Sequence, residues 1–310
     1  MDKVCDLKTT QDVIKYVNRA KETLSPDLLL ILIGPTASGK TKLAVEIAKE
    51  LDGEIISADS RQVYRGLDIG TGKDLKEYGE IAYHLIDIVP PTFQYTVKEF
   101  VKDFEKAYTD IINRGKFPIL CGGTGSYIQT LLQPQPYSQI PKNETFHVEH
   151  AGFTKEELIQ LINAEEIPSD FHIDWQSHKR LIRALEILYY LRINEPPTVL
   201  KASYPSLILA LSPPLELRRA RIDQRLKSRI DDGLLAEVER LLAEGISHDQ
   251  LQWYGLEYKY ASYYLLGQLS QTEFETKLRT EIHRFAKRQM TYFRKMEKDG
   301  LEIQWLENYR

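Results

Sequence analysis

Cysteine is scarce in this sequence: Cys5 and Cys121 are the only two in 310 residues, and they lie far apart. No CxxC pair and no cluster of cysteine and histidine accompanies them. This pattern argues against a disulfide framework and against a structural zinc site. We therefore expect both side chains to be reduced thiols.

Long apolar runs are also lacking. No tract is long enough to cross a bilayer, and charged residues interrupt the first fifteen positions, where a secretory signal needs a continuous apolar stretch. We therefore expect a cytoplasmic protein with no membrane association, and we expect it to be a monomer.

Excess positive charge is absent overall, since the formal net charge is −4. That value argues against a protein that coats nucleic acid nonspecifically. Residues 179–192 and 283–294 are nevertheless locally basic and helical in pattern, and a local patch is enough to bind one structured RNA. The alternative is that these segments are ordinary solvated helix faces.

Short apolar segments alternate with helical patterns along most of the chain. Residues 28–33 read as a strand buried on both faces, and further buried strands are predicted at 54–57, 84–88, 117–121 and 207–211. Helices are predicted between them, for example at 42–51 and 98–113. This alternation predicts an α/β fold with a P-loop NTPase-like parallel sheet flanked by helices.

The remaining segments suggest how the chain is divided. Residues 1–27 are predicted to form an N-terminal helical extension, with a helix at 9–23 that begins in a capping box of Thr9 and Asp12. The core is predicted to comprise 28–132 and 177–310, and residues 133–176 a small, mainly helical insertion lobe. The C-terminal part of the core is predicted to be helical at 215–228, 233–244, 257–266 and 272–298, with a last strand at 302–305.

A phosphate-binding motif follows the first strand. It matches GxxxxGK[ST] and consists of Gly34, Pro35, Thr36, Ala37, Ser38, Gly39, Lys40 and Thr41. Such a loop surrounds a diphosphate with backbone N–H groups at a helix N-terminus. We expect Lys40 to supply charge to the outer phosphate and the Thr41 hydroxyl to ligate Mg²⁺. The motif alone does not decide whether a phosphoryl group is transferred or a diphosphate leaves.

A second, longer motif at residues 55–73, IISADSRQVYRGLDIGTGK, resembles the signature of the tRNA dimethylallyltransferase family, the isopentenyltransferases. The resemblance continues in order and spacing through 83–87, 118–127, 179–186, 221–225, 233–238, 254–259 and 285–294. Residues 133–175 depart from the family's usual insertion, so this region is divergent. Ile282, His283 and Tyr292 also differ from the family's common residues.

The resemblance implies a specific reaction. A dimethylallyl group would pass from dimethylallyl diphosphate to the exocyclic N6 amine of an adenosine next to the anticodon in tRNA, with release of diphosphate. The implied partners are the tRNA anticodon stem-loop and dimethylallyl diphosphate, and the implied cofactor is Mg²⁺.

The residues themselves suggest how such chemistry would proceed. An adenine amine is a poor nucleophile, so attack benefits from a base, and Asp59 directly follows a strand near the P-loop. The family implies the same role, although Asp59 could instead cap a helix or hold Mg²⁺ through water.

The departing diphosphate needs cations that stabilise its growing negative charge. The candidates are Lys40, Mg²⁺ at Thr41 and either Arg221 or Arg225. By the resemblance, Arg221 is preferred.

Thr124 lies in a second glycine loop and is implied to contact substrate, with a plain turn threonine as the alternative. Gln62 could pair with an adenine edge, or simply face solvent. The residues expected to bind tRNA are Asp59, Ser60, Arg61, Gln62, Thr124, Arg180, Arg183, Lys287, Arg288 and Gln289.

Two other functions remain compatible with the sequence. An adenylate dimethylallyltransferase would use the same chemistry on free AMP, ADP or ATP, and the divergent insertion keeps this possibility open. A P-loop small-molecule kinase would use the loop to bind ATP. A nucleotide-binding module without catalysis is disfavoured because Asp59, Thr124 and the arginines are all present.

Overall fold

The computed structural model describes residues 7–133, 136–197, 204–307 and 309. Contacts divide the chain into two compact units. The first consists of Met1–Leu132 together with Ser203–Arg310, and the second of Gln133–Ala202. Cys5 lies outside the described residues, whereas Cys121 is a buried free thiol.

A single parallel sheet organises the first unit. Its strands are β1 (Leu29–Ile33), β2 (Gly53–Ser57), β3 (Tyr83–His84), β4 (Phe117–Gly122), β5 (Ser206–Leu211) and β6 (Ile303–Leu306). Their order across the sheet is β3-β2-β4-β1-β5-β6, and every neighbouring pair is parallel. The predicted α/β fold with a P-loop-like parallel sheet is therefore confirmed.

Helices connect the strands and form most of the C-terminal part of the chain. They are α1 (Thr10–Leu24), α2 (Lys40–Glu50), α3 (Val97–Asn113), α4 (Gly125–Leu132), α5 (Glu144–His150), α6 (Lys155–Asn163), α7 (His178–Leu191), α8 (Leu215–Asp231), α9 (Leu234–Ala243), α10 (His248–Tyr254), α11 (Leu256–Leu265) and α12 (Gln271–Lys298). The described residues also include two 3₁₀ turns, Leu75–Glu77 and Pro136–Gln139.

The alternation of side chains along β1 explains why helices cover both faces of the sheet. Leu29, Ile31 and Ile33 pack into one apolar layer, which includes residues of α3, α4 and α12. Leu30 and Leu32 point the opposite way, into a layer with α1 and α2. Because successive strand residues face opposite sides, an entirely apolar strand must be covered twice.

The predicted N-terminal helix is present as α1. Thr9 and Asp12 form the expected capping box, and Val13, Ile14 and Val17 are buried in the layer shared with α2. This packing places α1 within the first unit.

Strand β3 is shorter than the strand predicted at 84–88. Leu85 and Asp87 have φ values of 62° and 56°, a left-handed backbone that cannot continue a strand. The prediction at 84–88 was therefore wrong beyond His84, because an apolar run does not reveal backbone handedness.

The second unit has its own small core. Leu158 and Ile162 of α6 pack against Leu181, Leu185 and Leu188 of α7. The predicted insertion lobe ended at residue 176 and assigned α7 to the core, but the unit extends to residue 202. The difference arises because the apolar face of α7 is buried against α6.

A buried carboxylate near the start of β2 supports a stability prediction. Glu54 accepts hydrogen bonds from Arg114 (Nη2, 2.8 Å) and His84 (Nε2, 2.7 Å), and these partners lower the pKa of Glu54 from 4.5 to about 2, with Arg114 the main cause. A depressed pKa stabilises the folded state fully above pH 4.5, and this contribution is lost as the pH falls through about 2.

We therefore expect Glu54→Gln to lower the free energy of unfolding by about 1–3 kcal/mol at pH 6. Urea unfolding of both proteins at pH 6, 4 and 3 measures this difference, which should shrink as the pH falls. A difference that stays constant from pH 6 to pH 3 would contradict the assignment.

Within the described residues, no helix is both long and apolar enough to span a membrane.

Candidate active site

Three loops of the first unit meet at one edge of the sheet. Because β1, β4 and β2 are adjacent and parallel, the segments that follow them emerge side by side. These segments are the P-loop, the glycine loop at 122–125 and the segment at 58–62. They line a cavity of about 1290 Å³ together with residues of α8, α10, α11 and α12.

The P-loop has the backbone of an anion-binding nest. Ala37 and Gly39 have φ values of 61° and 91°, and the Ser38 N–H donates to the Pro35 carbonyl at 3.2 Å. Gly39 is the N-cap of α2, so the helix N-terminus opens onto the same space. The predicted residues from Thr36 to Thr41 line the cavity, whereas Gly34 and Pro35 are buried behind it.

Two polar side chains of this loop, those of Lys40 and Ser38, have no strong hydrogen-bond partner among the described residues. The Lys40 ammonium makes one long hydrogen bond of 3.4 Å to the Pro35 carbonyl, and burial lowers the pKa of Lys40. The buried Ser38 Oγ has no hydrogen-bond partner among the described residues. Such groups cost free energy unless a ligand engages them, and a diphosphate would do so.

The residues present also fit a magnesium ion bound together with a diphosphate. Mg²⁺ commonly takes one or two protein oxygens and completes its shell with phosphate oxygens and water. Thr41 lines the cavity at the start of α2, where the predicted hydroxyl ligand is required. No group of three or more His, Cys, Asp or Glu in the described chain is arranged to hold a metal by itself.

Asp59 and Thr124 lie in neighbouring loops, just after the C-terminal ends of β2 and β4. The Thr124 N–H donates to the Ala58 carbonyl at 3.1 Å, and the Ser60 N–H donates to Thr124 Oγ1 at 3.1 Å. None of the described residues accepts the Thr124 hydroxyl proton, so this proton is available to a ligand. Asp59 Oδ1 accepts from the Arg61 N–H at 2.9 Å, which fixes one carboxylate oxygen in a turn, while the other oxygen accepts no hydrogen bond from the described residues.

Gly122 allows this close approach of the two loops. A Cβ atom at this position would lie 2.2 Å from the Ala58 carbonyl oxygen. Only glycine therefore permits the end of β4 to lie against the segment that carries Asp59.

The structure distinguishes the two candidate arginines of α8. Arg221 Nη1 donates to the Ser38 carbonyl at 3.3 Å, which places its guanidinium on the P-loop. Arg225 Nη2 instead donates to the Gly72 carbonyl at 3.0 Å and to Asp74 at 2.5 Å. Arg225 thus forms an ion pair with Asp74, whereas Arg221 forms no ion pair with any described residue, so its charge is available to a phosphate.

We expect Arg221→Gln to lower kcat by about a hundredfold, as when a preorganised donor to a developing anion is removed. Arg225→Gln should lower kcat by less than about tenfold, because its loss affects a paired loop contact. Steady-state kinetics of both variants tests this order, and a larger loss with Arg225→Gln would reverse the assignment.

Two predicted tRNA-binding glutamines have other partners. The buried Gln289 side chain accepts from the Thr36 N–H at 2.9 Å and donates to the Gly123 carbonyl at 3.0 Å. It connects the two glycine loops and also lines the cavity, so both ends of its amide have partners in the protein. The Gln62 amide accepts from Ser57 Oγ at 3.2 Å and donates to the Gly72 carbonyl at 3.1 Å. A bidentate pairing with adenine would require these bonds to break.

The remaining predicted tRNA-binding cations lie in different places. Lys287 and Arg288 are exposed on α12. Arg180 and Arg183 belong to the second unit, where Arg180 pairs with Asp174 at 2.7 Å and Arg183 pairs with the buried Glu186 at 2.5 Å. Arg183 therefore has a structural partner within its own unit.

A buried carboxylate that the sequence analysis did not single out fixes one wall of the cavity. Glu237 of α9 accepts hydrogen bonds from three successive backbone N–H groups, those of Asp68, Ile69 and Gly70, at 2.8–3.0 Å. The Tyr258 hydroxyl donates to the same carboxylate at 2.7 Å. Glu237 lies in an ordinary amphipathic helix, so no sequence signal distinguishes it from a surface glutamate.

Comparisons with known proteins agree with this geometry. The family model described as IPP transferase matches residues 62–296, and the one described as isopentenyl transferase matches residues 27–81. The tRNA dimethylallyltransferase 1 of Geotalea uraniireducens is 45% identical over 279 residues, which cover 90% of this chain and 92% of that protein. The tRNA dimethylallyltransferase 2 of Bacteroides fragilis is 46% identical over 286 residues, with 90% and 92% covered.

Solved structures give the same result. The tRNA isopentenylpyrophosphate transferase of Bacillus halodurans has a TM-score of 0.67 at 30% identity and covers 91% of this chain and 90% of its own. A eukaryotic dimethylallyltransferase acting on tRNA has a TM-score of 0.71 at 24% identity, with 90% and 74% covered, and supports the fold. The chain belongs to the tRNA dimethylallyltransferase family.

Proposed function

We propose that this protein transfers a dimethylallyl group from dimethylallyl diphosphate to the N6 amine of an adenosine next to the anticodon of tRNA. The observation that carries the proposal is the position of Asp59. Its carboxylate lies in the same cavity as the P-loop and interacts electrostatically with Lys40. A base and a diphosphate cradle thus face one space, as this reaction requires.

The P-loop holds the donor in this proposal. Its backbone N–H groups, Lys40 and Arg221 contact the diphosphate oxygens, and Thr41 would help to hold Mg²⁺, which would neutralise phosphate charge when bound. These groups interact most strongly when the bond between the allylic carbon and the diphosphate oxygen breaks, because negative charge then accumulates on the leaving group.

The acceptor approaches from the side of Asp59. As the adenine N6 nitrogen bonds to the allylic carbon, the amine gains positive charge and must lose a proton. The free oxygen of Asp59 accepts that proton, while its other oxygen stays bonded to the Arg61 N–H. The Thr124 hydroxyl, held by the Ser60 N–H, has a proton to donate to substrate. The products are N6-dimethylallyladenosine and free diphosphate.

Incubation of the protein with labelled dimethylallyl diphosphate, Mg²⁺ and an acceptor tests the proposal. We expect label in unmodified tRNA and none in AMP, ADP or ATP supplied separately. Digestion of the tRNA and mass spectrometry of its nucleosides should identify dimethylallyladenosine 3′ of the anticodon.

Label in free nucleotides alone would instead indicate an adenylate dimethylallyltransferase. Steady ADP production from ATP, without prenyl transfer, would indicate a kinase. Either outcome contradicts the proposal.

A further inference from the structure

Glu237 contacts the cavity wall from behind. Its side chain is buried and does not line the cavity, whereas residues 70–74 of the segment it binds do. The carboxylate accepts the backbone N–H groups of residues 68–70, and the Tyr258 hydroxyl donates to it as well. A buried carboxylate is costly unless hydrogen bonds satisfy it, and hydrogen bonds to an ionised acceptor are strong. These four donors therefore hold the segment in one arrangement.

The segment that Glu237 binds forms a tight turn. Three successive N–H groups point at one carboxylate when the backbone curves around it, as in an anion-binding nest. The chain then folds back on itself, because the Gly72 N–H donates to the carbonyls of Asp68 and Ile69 at 3.0 Å and 3.1 Å. By holding the start of the turn, the carboxylate also fixes the Gly72 peptide at its end.

The Gly72 carbonyl accepts hydrogen bonds from two other elements of the site. Gln62 Nε2 donates to it at 3.1 Å and Arg225 Nη2 at 3.0 Å. Gln62 lies three residues after Asp59 in the same segment, and Arg225 lies one turn after Arg221 on α8. A single carbonyl oxygen therefore joins the segment that carries the proposed base to the helix whose other arginine contacts the P-loop.

We propose that Glu237 is a positioning residue for the prenyl transfer. Its carboxylate holds the turn at residues 68–70, so that the Gly72 carbonyl stays where both donors reach it. The relative position of Asp59 and Arg221 depends on this carbonyl. This inference rests on the proposed function, in which the first group accepts a proton and the second meets the departing diphosphate. Their separation must match the reacting atoms, and small displacements slow such a reaction.

Single-turnover kinetics with saturating enzyme tests the proposal. Glutamine keeps the shape of Glu237, but its NH₂ group cannot accept a backbone N–H, so Glu237→Gln loses at least one bond to the turn. The rate constant should fall by about tenfold to a hundredfold. The KM for dimethylallyl diphosphate and the Kd for the anticodon stem-loop should each change by less than about threefold. Because the enzyme is saturating, a smaller folded fraction cannot by itself lower this rate constant.

Two further variants bracket the effect. Tyr258→Phe removes one donor to the carboxylate and leaves the three backbone bonds, so the rate constant should fall by only about twofold to fivefold. This variant tests the proposal even where Glu237→Gln does not fold. Glu239→Gln is the matched control, because Glu239 lies on the same helix two residues later and is exposed. It should change none of the measured quantities.

A double-mutant cycle tests whether Glu237 acts through the shared carbonyl. Gln62→Met removes the amide that donates to Gly72, at nearly constant side-chain length. When both side chains are changed, the rate constant should fall by clearly less than the product of the two single losses, because one contact is removed twice. Independent losses that multiply would overturn the proposed link.

Amide hydrogen exchange of the free protein follows the same link without turnover. Glu237→Gln should speed exchange by about tenfold or more at residues 68–72 and also at Ser60 and Arg61, whose N–H groups bond to side chains of the site. The P-loop amides at 36–41 should be unaffected.

Other results would overturn the inference. An unchanged rate constant, with faster exchange confined to residues 68–72, would mean that Glu237 only stabilises the fold. An increased KM for dimethylallyl diphosphate at an unchanged rate constant would place its effect on donor binding. A wild type that prenylates no tRNA would contradict the proposed function, whereas the exchange at Ser60 and Arg61 would still decide whether Glu237 positions the segment with Asp59.

Discussion

Asp59→Asn is expected to lower kcat for tRNA prenylation by about 10²- to 10⁴-fold, the usual contribution of a general base. Asparagine keeps the shape of the side chain, and its oxygen can still accept from the Arg61 N–H, so the turn should persist. It cannot accept the proton from the adenine amine. Steady-state and single-turnover kinetics with labelled dimethylallyl diphosphate measure the effect, and the affinity for dimethylallyl diphosphate should change by less than about threefold.

Asp74→Asn is a matched control for Asp59→Asn. Asp74 also lines the cavity, and its left-handed backbone, with φ of 41°, is tolerated by asparagine. Removing this charge should have little effect on kcat. If Asp59→Asn retained activity within a few-fold of the wild type, or if Asp74→Asn lost as much, Asp59 would not be the base.

The sheet could be predicted because buried parallel strands have a simple sequence pattern. Residues 28–33 and 117–121 were recognised as apolar runs, and the strands at Leu29–Ile33 and Phe117–Gly122 agree with them. The P-loop motif and its flanking elements then located one side of the site. The position of Asp59 directly after β2 located the other side, since all parallel strands end at the same edge.

The partners of polar side chains could not be predicted in this way. The family resemblance predicts that Gln289 binds tRNA, but it does not reveal that the Gln289 amide connects the loops at Thr36 and Gly123. The Gln62 side-chain amide likewise donates a hydrogen bond to the Gly72 carbonyl, ten residues away in sequence. Such bonds are set by tertiary packing, and hydrophobic periodicity carries no information about them.

The division of the chain was mispredicted for a related reason. The pattern of α7 showed an apolar face but not which surface covers it. Its residues Leu181 and Leu185 pack on α6, so α7 belongs to the second unit.

Lys40→Met is expected to have the second largest effect on the reaction. Methionine has nearly the same length but no charge, so the diphosphate loses a desolvated cation that acts most strongly as the leaving group forms. We expect kcat to fall by about 10²- to 10³-fold, and the KM for dimethylallyl diphosphate to rise by about tenfold or more. The affinity for the tRNA stem-loop should stay unchanged, because Lys40 belongs to the P-loop, which holds the diphosphate donor in the proposed function.

Lys42→Met is the natural control, because Lys42 lies on the same helix two residues later. Its side chain is 79% exposed at the rim of the cavity, and among the described residues its one ion pair is a long one of 3.9 Å with Glu46. An ion pair of this kind contributes little, so kinetics and stability should remain close to wild type. Equal losses in both variants would indicate damage to α2, whereas a rise in the tRNA Kd for Lys40→Met alone would place this lysine on the acceptor. The proposed mechanism requires the loss to be specific to Lys40 and confined to the diphosphate donor.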